Sequence, residues 1–467
     1  MQSERVLTLY AVRIAAIAAI GGFLFGFDMA VINGAVIALQ HKFEAGAWET
    51  GLAVSLTLIG AASGAFFGGR FAGRFGQKLC MFWAAVLFFV NAIGSGASFG
   101  IYDFIVWRVI GGIGVGAASV IVPQYIAETA PSDRRGRLGT FQQFAIVIGI
   151  FTAALSNYFI AKYSGGAENY WWFKFEAWRW MFWVESIPAF LYGVLLMTLP
   201  ESPHFLVAKN RVLEAEKVLK NLIKTDKVKT KIQDIQKTIL IGRSSRILDI
   251  FCKNEKGKMR LYPVVVAGLT IAALQQFVGI NVIFYYGNTL WQSVGFREEQ
   301  SLILSVLSSV INVLAMIIAI FLIDKVGRKP LLLIGSAGMF VSLATMAFVF
   351  TAVQIDTDGV PVLRGISAYT AVVLANIYVI FFGMSWGPVM WVMLGEMFNN
   401  RIRTAALAVA GLVQWLANFT VSTTFPSLVK GIGLGGSYGI YAFFAIFSFF
   451  FVLNKVQETK GKELEDM

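Results

Sequence analysis

The sequence predicts an all-α integral membrane protein with twelve transmembrane helices. They form two six-helix pseudo-symmetric halves, with a short cytoplasmic helical domain between them. Three observations predict this: an apolar, charge-poor composition, twelve apolar stretches of membrane length, and the same loop punctuation in both halves.

The chain has 467 residues, 57% of them hydrophobic and only 14% charged, with a mean hydropathy of +0.69. Soluble domains carry about 25% charge. The composition excludes a disordered chain, a disulfide scaffold and an ordinary soluble enzyme. The formal net charge is +12. In a soluble protein that would suggest nucleic acid; in a membrane protein the location of the charge decides. The two cysteines, Cys80 and Cys252, lie in or beside basic segments and offer neither a disulfide framework nor a metal spacing. The N-terminus, MQSERVLTLYAVR, precedes an apolar stretch too long for a signal peptide, so it reads as an uncleaved first span.

A membrane helix needs about 20 mostly apolar residues. Such stretches, spans 1 to 12, lie near 11–36, 50–69, 79–98, 101–127, 138–162, 178–199, 262–291, 300–323, 331–353, 367–395, 404–428 and 437–454. Lipid has no water to satisfy backbone groups, so each must be helical. Residues 201–260 hold 15 Lys/Arg against 7 acids, two-thirds of the whole excess. The loops RFAGRFGQK, DRRGR, DKVGRK and NNRIR fall on the same side, while the opposite loops are mixed or acidic. The positive-inside rule puts that side, and both termini, in the cytoplasm of a plasma (inner) membrane protein. VLEAEKVLKNLIK (212–224) has helical periodicity, so the central stretch is read as amphipathic helices meeting anionic headgroups, with no nucleic-acid role. The expected organisation is 1–200, a six-helix half; 201–260, the linker domain; 261–456, the second half; and 457–467, a cytoplasmic tail.

The two halves repeat. GRFAGRFGQK follows span 2 and IDKVGRKP follows span 8. Glu128 stands seven residues before Arg135, as Glu396 does before Arg403. This matches the repeat architecture of transporters, with the substrate site at the midplane between halves. Charges at helix ends can serve only as anchors. Matched acids and arginines (Arg74, Glu128, Arg135, Asp324, Arg328, Glu396, Arg403) instead suggest a cytoplasmic latch that pairs in one state and separates in another.

An ionisable residue inside a span costs about 2.5–3.5 kcal/mol on insertion scales, so it is functional by default. Asp28 in span 1 and Arg108 in span 4 are the outstanding cases. Burial raises an Asp pKa and a nearby Arg lowers it. A carboxylate whose Arg approaches and withdraws can therefore load and release a proton; a permanent structural ion pair is the alternative. Amides also collect in the spans: Gln142, Gln143, Gln275, Gln276, Asn281, Asn312, Asn376, Gln414 and Asn418, with Tyr285, Trp386, Trp391 and Trp415. Amides suit hydroxyl groups and Trp rings suit a pyranose face, so a neutral polyhydroxylated substrate is expected. One lone Gln would be packing glue. GGIGVG (111–116) lacks the preceding strand that a dinucleotide site needs and reads as helix packing. His41 and His204 are far apart, and no Walker A, GxSxG or HExxH string is present. No enzyme, metal or cofactor is expected beyond the proton as coupling ion.

From span 1 to the tail, the chain resembles a sugar porter of the major facilitator superfamily. The motifs are FGFDMAVING, DKVGRKP, PESPHFL (200–206), QQFVGINVIFYY (275–286), SWGPVMWVMLGE (385–396), QWLANF (414–419) and ETKGKELE (458–465). It most resembles bacterial proton-coupled hexose transporters. The resemblance implies that Gln143, Gln275, Gln276, Asn281, Asn312 and Gln414 hydrogen-bond the sugar, with Trp391 and Trp415 bonding or stacking nearby and Tyr285 in the pocket. It implies that Asp28 is the proton site and Arg108 its partner. Mammalian facilitative glucose transporters carry Asn at the position of Asp28, which favours symport here over a uniporter. Ile150 and Phe284 match glucose transporters rather than the bacterial xylose symporter. The departures are Gly73, Gln77, where Arg is usual, and His204, where Arg is usual; they weaken the first half's latch. The resemblance implies import of a monosaccharide, glucose first, by a protein expected to act as a monomer. A uniporter and a sensor are the alternatives, and the short tail argues against a sensor.

Overall fold

The computed structural model describes residues 2–131, 135–223, 225–241, 247–253, 259–351, 353–355, 361–363, 365–399 and 402–459. Helix dominates, because a chain in hydrocarbon must satisfy its backbone within each segment. Among the described residues, eleven helical segments are long and apolar enough to cross a membrane. They are Leu9–Lys42, Ala47–Phe75, Gln77–Ala97, Ile101–Thr129, Leu138–Ser164, Ala177–Met197, Pro263–Gln292, Glu298–Ile323, Arg328–Thr351, Ile366–Met397 and Ala405–Lys455. These contain spans 1 to 10 in order. The last is 51 residues. At about 1.5 Å per residue it exceeds twice the ~30 Å hydrocarbon thickness. It is broken at Gly433 (φ 73, ψ 175), so it carries spans 11 and 12 as two passes.

Three spans are interrupted. Span 6 divides into Ala177–Trp183 and Ser186–Met197, span 7 into Pro263–Phe277 and Ile280–Gln292, and span 10 into Ile366–Met384 and Trp386–Met397. Span 7 breaks at Gly279 in the left-handed region (φ 85), where an L side chain is strained. The glycines of GGIGVG serve packing. A Cβ on Gly116 would lie 1.9 Å from the Ala61 carbonyl oxygen, so span 4 meets span 2 backbone to backbone.

The stretch after span 6 is helical, as its periodicity predicted: Pro203–Ala208, Val212–Lys220 and Thr225–Ile241. Leu206, Val207, Ala215, Leu219, Val228, Ile232 and Ile235 form its own apolar core. Two short antiparallel strand pairs, Phe251–Lys253 with Met259–Leu261 and Gln354–Ile355 with Pro361–Val362, lie outside the spans and were not anticipated.

The chain divides into two compact units. The first comprises Met1–Met29, Ile59–Ala153 and Arg179–Ser244; the second comprises Ala30–Leu58, Ala154–Trp178 and Ser245–Met467. The second unit thus includes the end of span 1, the start of span 2 and the end of span 5. Specific bonds hold them there. Asn33 donates to Ser305 Oγ (3.0 Å) and accepts from the Asn288 backbone N–H (2.8 Å). Thr423 donates to Ser55 Oγ (2.6 Å). A Cβ on Gly51 would stand 2.4 Å from the Thr423 carbonyl oxygen, so span 2 touches span 11 directly there.

Candidate functional site

In the first unit, the two intramembrane charges singled out by sequence meet. Asp28 and Arg108 are 0% and 1% exposed. Arg108 Nη1 donates to Asp28 Oδ1 at 2.6 Å, and Nη2 donates to the Asp28 carbonyl at 2.9 Å. Two partners were not foreseen. Asn91 Nδ2 donates to the same Asp28 oxygen at 2.6 Å, and Ser95 donates to Asn91 (3.0 Å), fixing the amide. Glu185, at the break in span 6, is completely buried and interacts electrostatically with both Asp28 and Arg108. Neither of its carboxylate oxygens has a hydrogen-bond partner, and Asp28 Oδ2 also has none. The centre therefore holds two acids and one guanidinium out of water. Burying an unpaired charge is costly, so one additional proton makes this trio neutral. The signal for Glu185 was available: an acid in WRWMFWVESIPAF obeys the rule that selected Asp28.

The second unit gathers the amides. Gln275 Nε2 donates to the Trp386 carbonyl (2.9 Å), and Gln275 Oε1 accepts from Gln414 (2.5 Å) and Gln276 (3.2 Å). Asn281 donates to Gln276 Oε1 at 2.6 Å. The break at Gly279 makes this possible, because it lets the two pieces of span 7 aim side chains at one point. Tyr285 OH accepts from Asn418 (3.4 Å). Asn312 lies against Gly383 of span 10, whose added Cβ would be 3.1 Å from its Oδ1. Asn376 accepts from Ser308. Trp391 is 37% exposed and Trp415 half-buried. Gln142 and Gln143 belong to the first unit, on span 5, the former buried and the latter half-buried.

The profile of the family described as "Sugar (and other) transporter" matches residues 14–467. The chain belongs to this sugar transporter family. It is 53% identical to a glucose transport protein of Synechocystis over 98% of this chain and 97% of that one. It is 37% identical to the D-xylose-proton symporter of Escherichia coli strain K12, over 98% and 95% respectively. The fold matches the inward open conformation of the Escherichia coli xylose transporter with a TM-score of 0.82, covering 98% of both chains at 37% identity.

As in the sequence, the transporter's repeat is visible at its helix ends. In the first unit, Glu128 accepts from Gln77 Nε2 (3.0 Å), Gln124 (2.9 Å) and Ser202 Oγ. Glu201 accepts from the backbone N–H groups of Gln77 (3.0 Å), Lys78 (3.2 Å) and Ser202 (2.9 Å). In the second unit, Glu396 accepts from Arg328 Nη2 (2.8 Å) and Thr459 Oγ1 (2.5 Å). Glu458 accepts from the backbone N–H groups of Arg328 (3.1 Å), Lys329 (3.0 Å) and Thr459 (2.9 Å). Glu201 and Glu458 thus each cap a helix N-terminus, where a carboxylate is favoured. Gly76 (φ 110) and Gly327 (φ 102) supply the turn into each helix. Gln77 stands where the second network has Arg328, so among the described residues the first network lacks the ion pair of the second.

Other latch residues are placed differently from the spacing argument. Arg403 donates through Nε to the Phe398 carbonyl (3.0 Å), while Glu396 pairs with Arg328. Arg74 is exposed and lies over the Phe75 ring at 5.3 Å. Arg135 and Asp324 sit in helices, but their side chains lie outside the described residues. Glu201, Ser202, Glu458 and Thr459 were missed as network members, though they stand inside the PESPHFL and ETKGKELE motifs.

Proposed function

We propose that this sugar transporter imports a hexose, glucose first, together with a proton by alternating access. It does so in the plasma (inner) membrane, as a monomer, with both termini cytoplasmic and with 1–200, 201–260, 261–456 and 457–467 as its working divisions. The observation that carries the proton reading is the buried trio of Asp28, Arg108 and Glu185. An ion pair alone would balance two charges; a second buried acid demands a proton. When Asp28 takes that proton, its grip on Arg108 weakens and Arg108 is free to turn to Glu185. The site then alternates between two arrangements of similar cost, which is what a switch needs.

The sugar reading rests on the amide network. Gln275, Gln276, Asn281 and Gln414 bond one another. Amides that donate and accept can exchange those bonds for sugar hydroxyls with no buried group left unmet. The partners that these amides show among the described residues are uncharged, which suits a neutral monosaccharide. Asn312, Trp391, Trp415 and Tyr285 complete the pocket proposed in the second unit, and Gln143 of the first unit is proposed as a further sugar ligand. Glu128, Glu201 and Gln77 in one network, and Glu396, Glu458 and Arg328 in the other, serve as cytoplasmic latches. Similarity to a glucose transport protein and to a proton symporter supports both halves of the reading.

The test is direct. Adding glucose to weakly buffered, unenergised cells that express the protein should alkalinise the medium, and unlabelled hexoses should compete with labelled glucose better than pentoses do. Uptake without alkalinisation would make the protein a uniporter and the Asp28–Arg108 contact a structural ion pair.

A further inference from the structure

The connection between span 5 (ending at Ser164) and span 6 (starting at Ala177) carries the sequence NYWWFKF over 169–175. It folds as a tight hairpin. Tyr170 bridges Glu176, and the Trp171 N–H donates to the Phe175 carbonyl at 2.8 Å. Its tip holds two consecutive non-glycine residues with positive φ, Phe173 (53°) and Lys174 (60°). L residues rarely adopt that conformation. It is kept here although it turns aromatic rings outward. Phe173 is 84% exposed, Tyr170 68%, Trp172 58% and Phe175 45%. Trp171 and Trp172 stack at 4.3 Å.

The base of the same hairpin is firmly held. The Ala167 N–H donates to Glu298 Oε1 of span 8 at 2.9 Å. Glu176 pairs with Lys42 (2.5 Å) and Glu168 with His41 (2.7 Å), both at the end of span 1. The Trp178 N–H returns to the Ala167 carbonyl (2.9 Å). A rigid base with an aromatic tip is the form of an anchor, not of a loose solvent loop.

The aromatic surface continues below the hairpin. On the last turns of span 5, Phe159 and Tyr163 are 43% and 71% exposed and stack at 6.2 Å. Both lie on a helical segment long and apolar enough to cross a membrane, Leu138–Ser164, directly before the hairpin. Trp and Tyr favour the headgroup layer because the ring is apolar and its N–H or O–H still finds a polar partner. Exposed Lys174 beside them complements a lipid phosphate.

We propose that the 170–175 tip is a membrane-interface anchor that inserts into the headgroup layer of the external leaflet. Its partner is phospholipid. Through Glu176, Glu168 and Ala167, the inserted hairpin steadies the contacts that join the end of span 1 to the start of span 8. Anchoring acts on the hairpin and leaves the sugar and proton sites untouched.

The test places one environment-sensitive fluorophore at the tip, using Phe173→Cys in a Cys252→Ser background, with native Cys80 buried. The protein is reconstituted in phosphatidylcholine–phosphatidylglycerol vesicles. The expected result is blue-shifted emission, quenching by phospholipid spin-labelled high in the acyl chain, and iodide quenching at least threefold weaker than for the same probe on exposed Lys209→Cys. Adding Trp172→Ser and Phe175→Ser should restore iodide access, which separates anchoring by the hairpin from insertion of the dye. Full iodide access with no lipid quenching would overturn the proposal. So would protection in detergent by a soluble oligosaccharide, which would make the tip a glycan platform. Sugar binding by each variant reports that it is folded.

Discussion

Replacing Asp28 with Asn removes one negative charge from a fully buried site. Asn91 and Arg108 still find an oxygen, because the Asn side chain keeps its carbonyl. Arg108 remains fully buried, and losing its partner outright would cost about 3–5 kcal/mol. Glu185 prevents that loss, since it already interacts electrostatically with Arg108 and has two unbonded oxygens. The variant should therefore fold, with Arg108 and Glu185 as a permanently neutral pair and no proton to exchange. A proton moving down 100 mV and one pH unit yields about 3.7 kcal/mol in all, which supports a roughly 500-fold sugar gradient. The assay is labelled glucose in energised vesicles. Wild type should approach such a gradient, and Asp28→Asn should stop at onefold while sugar exchange continues. Accumulation by Asp28→Asn would refute the reasoning.

Gln275→Ala and Asn281→Ala each remove hydrogen bonds worth about 1 kcal/mol, so sugar affinity should fall roughly fivefold in equilibrium binding; unchanged affinity in both would move the pocket elsewhere. Glu185→Gln should fold but lose proton-driven accumulation, read in the same vesicle assay, because the trio is then neutral without a transferable proton. Gly51→Val drives a side chain into the Thr423 carbonyl, and overpacking of about 1–3 kcal/mol should open the contact between spans 2 and 11. Labelling of Ser55→Cys from outside should then rise severalfold. Gln77→Arg would replace an amide donor to Glu128 with a guanidinium, and charge-assisted bonds are roughly twice as strong. It should raise the thermal midpoint by about two degrees and keep most of that gain at 1 M salt, because position 77 is buried and a buried pair is screened much less than an exposed one.

How far the site was legible can be argued from particular residues. Asp28 and Arg108 could be paired from sequence because a charge in lipid must find an opposite charge, and few were available. Glu185 answered to the same rule but was passed over beside the tryptophans of span 6. Asn91 gave no such signal, since a single amide in a span is ordinarily packing glue. Among the proposed latch residues, the sequence singled out Arg328, Glu396 and Arg403 without saying which of them pair, and it is Arg328, sixty-eight residues away in sequence, that bonds Glu396. Spacing along one chain segment cannot report which neighbouring helix end comes within reach.

What the sequence by itself determined was set by the solvent. Hydrocarbon tolerates only helices, so apolar stretches of sufficient length declared the spans, and the family motifs declared a sugar transporter. The tertiary structure decided the partners. It put Asn91 beside Asp28 and buried Glu185 within electrostatic reach of it, gathered four amides around the break at Gly279, and tied the end of span 1 and the start of span 2 to spans 7, 8 and 11. Those choices depend on how each helix is rotated and how closely small residues let it approach its neighbours. That is packing between segments distant in the chain, and a residue's place in its own span does not encode it.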